Sequence, residues 1–509
     1  MKRSGIFLVL IILLGSCKKE SFNRQYQSNN YYQIAKNRQV AEWEPAQGVY
    51  FVWPPVIPKE LIIELSNDTR IFPIVDGQAG QAHAEKWLVK WGINLQNVNF
   101  LHLKTEEELQ PRDWGPSAVF TGTGAFKITD GQYKYACPGT DLKCNDSLEF
   151  QKKDNGQIYR STIVDTAIVY LGNKLGFDVL ELPFTNTGGN VITDGMGTAF
   201  STCVLLTENR FNGISDKEFF QLNDSLLGLS NYNIISNFDK IGIQHIDCLL
   251  KLIDEETILV AEPPKNHELY SIYENIVQNE LSHLKTIYNR PYTIKRIKVA
   301  PYYTDDEAAY LTAYTNSLIL NKNVYVPLFG IEEDSLALET WRSVMPGYSI
   351  KGYEYVLKDQ PVKTKYHFEG FEELGVETGW LYEDAIHCRI KSIWDENMVF
   401  ISVKKVLPEV NINQSAVLNA TIIDYNNANL TVEEVFLKWR VKGEESWVKQ
   451  KMTMDTNPNH WFAEFPAKEK EIEIEYYIEA QSGSGATQNR PITAPEGFYT
   501  FKYVTHKSI

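Results

Sequence analysis

The sequence is poor in cysteine, in basic residues and in long apolar runs. Each of these scarcities argues against a class of structure or of binding partner. Only 6 of 509 residues are cysteine, and none follows Cys388, so the last hundred residues cannot have a disulfide-pinned core. No Cys/His spacing matches a zinc site, and we therefore predict no metal. Lys and Arg number 50 against 65 Asp and Glu, for a formal net charge of −15. Because phosphate binding requires basic patches and none occurs, the composition argues against a nucleic-acid partner.

The N-terminal residues have the composition of an export signal. Lys2 and Arg3 precede the apolar stretch 6–14, which is too short to span a bilayer. Leu14-Gly15-Ser16-Cys17 then resembles a bacterial lipobox, which predicts a signal peptide over 1–17 and a lipid on Cys17. The alternative is an ordinary cleaved signal with an incidental cysteine. We expect a lipid-anchored protein of the bacterial cell envelope, whose contact with the membrane is that anchor, with a polar stalk over 18–40.

The secondary structure predicted for the rest of the chain changes once, from an α/β pattern to an all-β pattern. A length of 509 residues is too great for one ordinary core, so two domains are expected. Short strands alternate with short helices over 41–405, which predicts an α/β domain. Predicted helices are 59–66, 82–92, 162–175, 270–288 and 334–345, and predicted strands include 71–75, 98–103, 178–182 and 293–299.

The segment 406–509 has the period of β-structure. Val435, Leu437, Trp439 and Val441 alternate with charged residues, and a second alternating run covers 471–480. Runs of period two separated by turns predict a small all-β sandwich.

The stretch with the strongest chemical content is Ile386-His387-Cys388-Arg389. A cysteine beside a histidine and an arginine is placed where positive charge can stabilise a thiolate. A buried structural cysteine is the alternative, and it is the commoner role of a lone thiol.

Two distant stretches favour the catalytic interpretation. They contribute Asp113, His245 and Asp247, and with Cys388 they form a set suited to a guanidinium group. Its delocalised carbon requires a soft nucleophile, carboxylates to hold its N–H donors and an acid for the departing ammonia. Taken singly, Asp113 could be a salt-bridge or turn residue, and His245 a core histidine.

The two histidines differ in their expected direction. His245 and Asp247 stand two residues apart, so on a strand both side chains would point to one face. On a strand, His387 would point away from Cys388. We therefore predict His245 as the acid/base.

Two further cysteines, Cys137 and Cys144, flank Pro138-Gly139. In an oxidising compartment they could form a disulfide, and the alternative is two surface thiols.

Seven motifs occur in one order between residues 41 and 394. They are Glu42-Trp43-Glu44-Pro45, Trp53-Pro54, Arg112-Asp113-x-Gly115-Pro116, Gly188-Gly189-Asn190 with Asp194-Gly195-x-Gly197-Thr198, His245-x-Asp247, Asn316 with Val326-Pro327, and His387-Cys388. This order resembles the Porphyromonas-type peptidylarginine deiminase and agmatine deiminase family, within the guanidino-group-modifying superfamily.

The resemblance implies a fold, a reaction and a set of roles. The implied fold is a five-bladed pseudosymmetric α/β-propeller, the pentein fold, with the site at its centre. The implied reaction is hydrolytic loss of ammonia through a covalent thiouronium, without a cofactor. Cys388 matches the nucleophile, His245 the acid/base, and Asp113 and Asp247 the guanidinium-binding carboxylates. The trailing sandwich is similar to the immunoglobulin-like domain of the secreted peptidyl enzymes.

The predicted substrate contacts come from these motifs and from the rim that follows the first carboxylate. They are Asp113, Asp247, Asn316, Asn190, Trp114 and Lys134.

Two departures from the family pattern bear on the substrate. Tyr382-Glu383-Asp384-Ala385 replaces the glycine run of agmatine deiminases, and Lys134 stands where the secreted peptidyl enzymes have arginines. The mixed-charge rim over 131–154 and the envelope address favour arginine in peptides or proteins over a small guanidine. The alternatives are agmatine deimination to N-carbamoylputrescine, amidino transfer to an amine, and an inactive surface-binding lipoprotein. The intact set of Cys388, His245 and two aspartates argues against the last.

Overall fold

The computed structural model describes residues 36–104, 109–133, 136–138, 148–150, 164–239, 243–303, 309–355, 379–380 and 384–505. The predicted signal peptide, Cys17 and most of the predicted stalk lie outside these ranges, as do Lys134 and Cys144. In the described part of the chain, no helix combines the length and apolar character needed to cross a membrane.

The first part of the chain alternates strands and helices, as its sequence predicts. Its strands are β1 (Arg38–Gln39), β2 (Ala46–Val52), β3 (Arg70–Val75), β4 (Leu101–His102), β5 (Ala118–Phe120), β6 (Phe126–Gln132), β7 (Ala136–Pro138), β8 (Leu148–Phe150), β9 (Asp178–Thr185), β10 (Ile192–Thr193), β11 (Thr198–Thr202), β12 (Asn231–Ile235), β13 (Leu250–Asp254), β14 (Thr257–Glu262), β15 (Thr293–Lys298), β16 (Pro301–Tyr303), β17 (Ala309–Leu311), β18 (Leu318–Leu320), β19 (Asn323–Leu328), β20 (Ser349–Glu354) and β21 (Lys391–Trp394).

All the α-helices among the described residues belong to this first part. They are α1 (Lys59–Asp68), α2 (Gly77–Lys90), α3 (Pro111–Trp114), α4 (Val164–Leu175), α5 (Cys203–Phe211), α6 (Asp216–Leu222), α7 (Ile246–Leu249), α8 (Tyr270–Asn279), α9 (Glu333–Val344) and α10 (Ile386–Arg389). The five predicted helices are present, although the one predicted over 270–288 ends at Asn279 and is followed by a short 3₁₀ turn.

Helix α1 shows how the sequence produces these elements. Pro58 precedes the helix with an extended backbone, and the helix buries Leu61, Ile62 and Leu65. That spacing places the three side chains on one face of a 3.6-residue period. The helix therefore packs its apolar face onto the large core that the first part of the chain builds.

Five sheets in the described residues repeat one pairing pattern. In each, a strand pairs antiparallel with a second strand, which pairs parallel with a third across a helical connection. These triplets are β5-β6-β9, β10-β11-β12, β13-β14-β15, β18-β19-β20 and β21-β2-β3. The repetition is structural, since no sequence period accompanies it.

The fifth triplet joins the two ends of the α/β part. Strand β21 pairs antiparallel with β2, so that Tyr50 lies opposite Lys391 and Val49 opposite Ser392. The chain thus returns to its first sheet immediately after α10. This closure fixes the position of the Cys388 segment against the N-terminal strands.

The remaining strands form two packed sheets. They are β22 (Val399–Lys404), β23 (Glu409–Asn411), β24 (Ala416–Asp424), β25 (Glu434–Val441), β26 (Val448–Lys451), β27 (Thr453–Met454), β28 (His460–Phe465), β29 (Ile472–Gln481), β30 (Thr487–Arg490) and β31 (Tyr499–Val504). One sheet has the order β22-β24-β28-β27 and the other β23-β31-β29-β25-β26, with β30 also paired to β29, and both sheets contribute to one core. In β29 the alternate residues Ile474, Tyr476 and Ile478 are fully buried, as the period-two pattern predicts.

The sheet pairing bears on where the second unit begins. The predicted boundary at residue 405 lies at the end of β22, but β22 pairs along its length with β24. Strand β22 is thus part of a sheet built by the strands that follow it, and the domain boundary at residue 405 stays a prediction.

The two units are joined by apolar and charged contacts. Met196, from a turn of the α/β part, packs with Phe400, Ile423 and Leu430 of the β unit. Arg490 Nη2 donates to Glu255 Oε2 at 3.0 Å, and both side chains are buried. Glu255 follows β13 directly, so the β unit holds the far end of a strand that leads from the candidate site.

Candidate active site

The candidate site is assembled from the segments that directly precede the first strand of each repeated triplet. Helix α3 precedes β5, the 3₁₀ turn Gly188–Asn190 precedes β10, and α7 precedes β13. Asn316 precedes β18, and α10 precedes β21. Each repeat therefore delivers one segment, which explains why the motifs are far apart in sequence.

Cys388 lies in the four-residue helix α10 and is fully buried. Asn316 fixes the start of this helix, because its Oδ1 accepts hydrogen bonds from the backbone N–H groups of His387 at 3.0 Å and Cys388 at 3.3 Å. Its Nδ2 lies 3.1 Å from Cys388 Sγ. The asparagine assigned to substrate binding from the sequence thus contacts the candidate nucleophile directly.

The electrostatic setting of Cys388 differs from the sequence expectation. Burial raises the pKa of the thiol well above its ordinary value, and the nearby carboxylates Asp247 and Asp113 raise it further. Arg389 does not compensate, since its guanidinium donates to Asp384 Oδ1 at 2.9 Å and to the carbonyl of Gly379 at 2.7 Å. The resting site therefore holds a thiol, and a cation is needed to favour the thiolate.

Asp113 and His245 form a pair on the other side of the site. Asp113 lies in α3, and its Oδ1 accepts a hydrogen bond from Gly189 N at 3.1 Å and lies 3.4 Å from His245 Nδ1. Burial alone would lower the pKa of His245, but Asp113 first, then Asp247 and Glu208, raise it to about 9. At neutral pH His245 is an acid, the state required to protonate a leaving amine.

Gly189 lies among these groups, and only a residue without a side chain fits there. A Cβ at this position would lie 2.4 Å from Asp113 Oδ1, 2.9 Å from His245 Nδ1 and 3.3 Å from Asp247 Oδ2. The point where that Cβ would stand is thus within reach of both carboxylates and the imidazole. It marks the space between the predicted guanidinium ligands.

His245 and Asp247 are close, but not for the reason given by the sequence pattern. The segment is not a strand: His245 caps the four-residue helix α7, and Asp247 lies inside it. The preceding Gln244 has a left-handed φ of 59°, and its Oε1 accepts from Phe238 N and Asp239 N. This turn, which a two-residue spacing cannot reveal, aims both side chains into the site.

His387 was expected to point away from the chemistry, and this expectation is wrong. Because the segment is helical, the ring turns inward: Nδ1 lies 2.7 Å from Asp247 Oδ2, and Nε2 lies 3.0 Å from Glu42 Oε2. Asp247 Oδ2 is also 3.9 Å from Cys388 Sγ. Sequence reasoning also missed Lys251, whose Nζ lies 2.7 Å from Glu42 Oε2.

Two more buried basic residues, Arg112 and Lys391, lie next to the segments that form the site. Arg112 Nε donates to the carbonyl of His387 at 2.9 Å, and Lys391 Nζ donates to the carbonyl of Arg112 at 3.2 Å. Burial and Arg112 hold the pKa of Lys391 well below its ordinary value. These groups join α3 to α10, and the signal for Arg112 was its place beside Asp113 in the motif.

The remaining predicted substrate contacts occupy different positions. Asn190 is fully buried, and its Oδ1 accepts from Thr202 N and Ile246 N, both at 3.0 Å. It thereby ties the turn before β10 to the start of α7. Trp114 is buried at the end of α3, with its ring 6.4 Å from that of Tyr50. Their roles in binding stay predictions.

The described cysteines differ in state. Cys248 and Cys388 are thiols, and Asn316 Nδ2 lies 3.6 Å from Cys248 Sγ. Cys203 is disulfide-bonded. The predicted Cys137–Cys144 bridge lies outside the part of the chain whose side chains are described. Within that part, no group of three or more His, Cys, Asp or Glu residues is arranged to hold a metal ion.

Comparison with known proteins gives this geometry a context. Residues 38–356 match the family profile described as Porphyromonas-type peptidyl-arginine deiminase. A curated relative from Vibrio parahaemolyticus serotype O3:K6, named as a putative agmatine deiminase, is 23% identical over 197 residues. That alignment covers 35% of this chain and 54% of the relative, so the chain spans about half the length of the curated relative it matches.

Solved structures show the fold. The agmatine deiminase of Enterococcus faecalis is 18% identical, with a TM-score of 0.54 over 71% of this chain and 96% of its own. The C. jejuni agmatine deiminase is 15% identical, with a TM-score of 0.52 over 72% of this chain and 99% of its own. The fold is thus the α/β pentein fold that these proteins share. Because the family profile matches more than half of the chain, the chain belongs to the Porphyromonas-type peptidyl-arginine deiminase family, hydrolases that act on guanidino C–N bonds.

Proposed function

We propose that this protein hydrolyses the guanidinium group of arginine in peptides or proteins, giving a ureido side chain and ammonia through a covalent intermediate on Cys388. One observation carries the proposal: Asp113, His245 and Asp247 surround the Cβ position of Gly189, and Asp247 Oδ2 and the Asn316 amide nitrogen lie 3.9 Å and 3.1 Å from Cys388 Sγ. The family profile over 38–356 supports a peptidyl substrate.

The first step of the proposed reaction is ionisation of the Cys388 thiol, which the positive charge of the substrate favours. A guanidinium cation held by Asp113 and Asp247 offsets the two carboxylates that oppose ionisation of the thiol. The Cys388 thiol then releases its proton to water, and the thiolate attacks the guanidinium carbon, forming a C–S bond. Asn316 Nδ2, 3.1 Å from the sulfur, stabilises the thiolate by hydrogen bonding.

Two further steps complete turnover. His245, an acid at neutral pH, protonates one amino group, and the C–N bond breaks with its electron pair on the departing ammonia, leaving a thiouronium on Cys388. Neutral His245 then takes a proton from water as a C–O bond forms. The C–S bond breaks last, and the ureido product leaves with the thiol restored.

Replacement of the nucleophile tests the mechanism. We expect Cys388→Ala to fold normally and to release ammonia many orders of magnitude more slowly, because covalent catalysis is lost with the sulfur. Thermal unfolding is the control for the fold. Near-normal ammonia release by Cys388→Ala would refute the covalent mechanism.

Agmatine is the second candidate substrate, because the named relatives include agmatine deiminases. The deciding measurement is one ureido-product assay on agmatine, free arginine, and peptides with internal or C-terminal arginine. We expect the peptides to have the higher kcat/KM. If agmatine wins by a factor of about ten, or about 1.4 kcal/mol of transition-state discrimination, the peptidyl assignment fails and the deiminase chemistry stands.

We also propose a finer domain architecture and a cellular location. The five repeated sheet triplets are interpreted as the blades of a five-bladed propeller, and the C-terminal pair of sheets as an immunoglobulin-like domain. The Leu14-Gly15-Ser16-Cys17 motif supports attachment of a lipid to Cys17 at the cell envelope. Metabolic labelling with a fatty-acid probe should mark the wild-type protein and not Cys17→Ser.

A further inference from the structure

His387 connects the buried carboxylate of Asp247 to the partly buried carboxylate of Glu42 through its two ring nitrogens. Its Nδ1 lies 2.7 Å from Asp247 Oδ2 and its Nε2 lies 3.0 Å from Glu42 Oε2. The ring is 2% exposed. Its orientation is therefore set at both edges, and it has no room to exchange its partners for water.

Glu42 is itself held from several directions. Besides His387, its Oε2 lies 2.7 Å from Lys251 Nζ, and its Oε1 accepts from Ile319 N at 2.9 Å. Burial by itself would raise the pKa of Glu42, but His387 and Lys251 hold it well below its ordinary value. Glu42 is thus a charged, fixed group that faces the outer edge of the His387 ring.

The inner edge of the ring requires a proton on Nδ1. Burial alone would raise the pKa of Asp247, but hydrogen bonding to His387 lowers it overall, so Asp247 is a carboxylate and accepts hydrogen bonds only. At 2.7 Å the facing nitrogen must be an N–H donor, since two lone pairs would repel each other. Burial and Arg112 lower the pKa of His387. In the neutral ring the single N–H lies on Nδ1 and keeps the bond to Asp247, and in the imidazolium Nε2–H also donates to Glu42.

The bond matters because Asp247 faces two groups, the substrate guanidinium and the sulfur of Cys388. The proposed function, on which this inference rests, requires Asp247 to face the guanidinium, while its Oδ2 lies only 3.9 Å from Cys388 Sγ. An Asp247 free to rotate would lose the placement of Oδ2 beside both the sulfur and the Cβ position of Gly189. A hydrogen bond from His387 to Oδ2 blocks that rotation and leaves further lone pairs for the substrate.

We propose that Glu42 and His387 are positioning residues, which hold the carboxylate of Asp247 in the orientation that binds the substrate cation beside Cys388. Neither residue touches the reacting atoms. Lys251 completes the chain by fixing Glu42. The residue adjacent to the nucleophile thus acts on a carboxylate 140 positions away in the sequence.

The test compares three substitutions of His387. Asn can place an amide N–H near the position of Nδ1 and so retain the bond to Asp247, whereas Gln reaches the Glu42 side and Leu makes neither bond. We expect His387→Asn to keep kcat/KM within about tenfold of wild type. His387→Gln and His387→Leu should lose about 100-fold or more, the scale set by a 1 Å error in placement.

A second readout does not depend on turnover. 2-Chloroacetamidine alkylates thiols and carries an amidinium cation, whereas iodoacetamide is a neutral alkylating agent. The ratio of their inactivation rates at Cys388, followed by peptide mass spectrometry, reports how well the site receives a cation. Wild type and His387→Asn should share a high ratio, and His387→Gln should show one about tenfold lower, because about 1.4 kcal/mol of cation binding is lost.

The outcomes separate this proposal from the proposed function. If wild type releases no ammonia from any guanidine while the alkylation ratio still follows the Asn and Gln variants as expected, the function fails and the positioning role stands. If folded His387→Asn and His387→Gln have the same ratio and the same kcat/KM, the positioning role is overturned. Should His387→Leu fail to fold, the comparison of the two polar variants still decides.

Discussion

Gly189→Ala should inactivate the enzyme without unfolding it. The new Cβ would lie 2.4 Å from Asp113 Oδ1, and ordinary contact begins at 3.4 Å, so the carboxylate must retreat by about 1 Å. The contacting atom is the far end of the Asp113 side chain. The side chain can therefore move aside without a shift of the backbone. A misplacement of about 1 Å at a reacting centre costs about 100-fold in rate, or about 2.7 kcal/mol of transition-state stabilisation.

The assay is ammonia release under kcat/KM conditions, with thermal unfolding run in parallel. We expect kcat/KM to fall at least about 100-fold while stability falls by no more than the roughly 1–3 kcal/mol typical of an overpacked methyl group. Gly483→Ala is the matched control, because a Cβ there meets nothing within 4 Å, and it should be silent. If Gly189→Ala turns over within threefold of wild type, the space beside Gly189 is not where the guanidinium binds.

Three further predictions concern other groups. The folded-state pKa of His245, about 9, lies above its ordinary value of 6.5, so the stability it contributes is complete below about pH 6.5 and is lost as pH rises through 9. Urea unfolding should therefore show the advantage of wild type over His245→Gln falling by about 3 kcal/mol across that range, and an advantage independent of pH would contradict the raised pKa. Asn316→Ala should lower kcat about 10²–10³-fold, the usual effect of losing one positioned donor, and an unchanged kcat in steady-state assays would remove it from the mechanism. Arg490→Met leaves Glu255 as a buried charge without its 3.0 Å partner, so calorimetry and urea unfolding should report a loss of about 3–5 kcal/mol, whereas Arg490→Lys should lose less.

The sequence predicted the elements whose signals are local. Periodicity alone located the helix over 59–68 and the alternating strand over 472–481, because the spacing of apolar residues along the sequence defines the buried face. The end of the helix at Asn279 was missed, since no proline or glycine stops it there. The partner of β22 is β24, and no local pattern in the sequence of β22 indicates that pairing.

The site shows the same limit. Residue types led to the prediction of Cys388, His245, Asp113 and Asp247, because their chemistry suits one substrate class, and the structure brings the four side chains together. Direction did not follow, since a four-residue helix leaves no periodic signal and reverses where His387 points. The pairing of Glu42 with Lys251 joins segments some 200 residues apart, and no pattern within either segment indicates it.

The pairing of β21 with β2 has a consequence for how activity arises during protein synthesis. The carboxylates, His245 and Asn316 are all made before residue 320, but the nucleophile arrives only with residue 388, and the strand that anchors it ends at Trp394. Bringing the two ends together requires closing a loop of more than 300 residues, which is slow compared with local folding. A nascent or truncated chain that stops before β21 therefore holds the two aspartates, His245 and Asn316 without the strand that anchors Cys388. The candidate site is complete only after translation has passed Trp394.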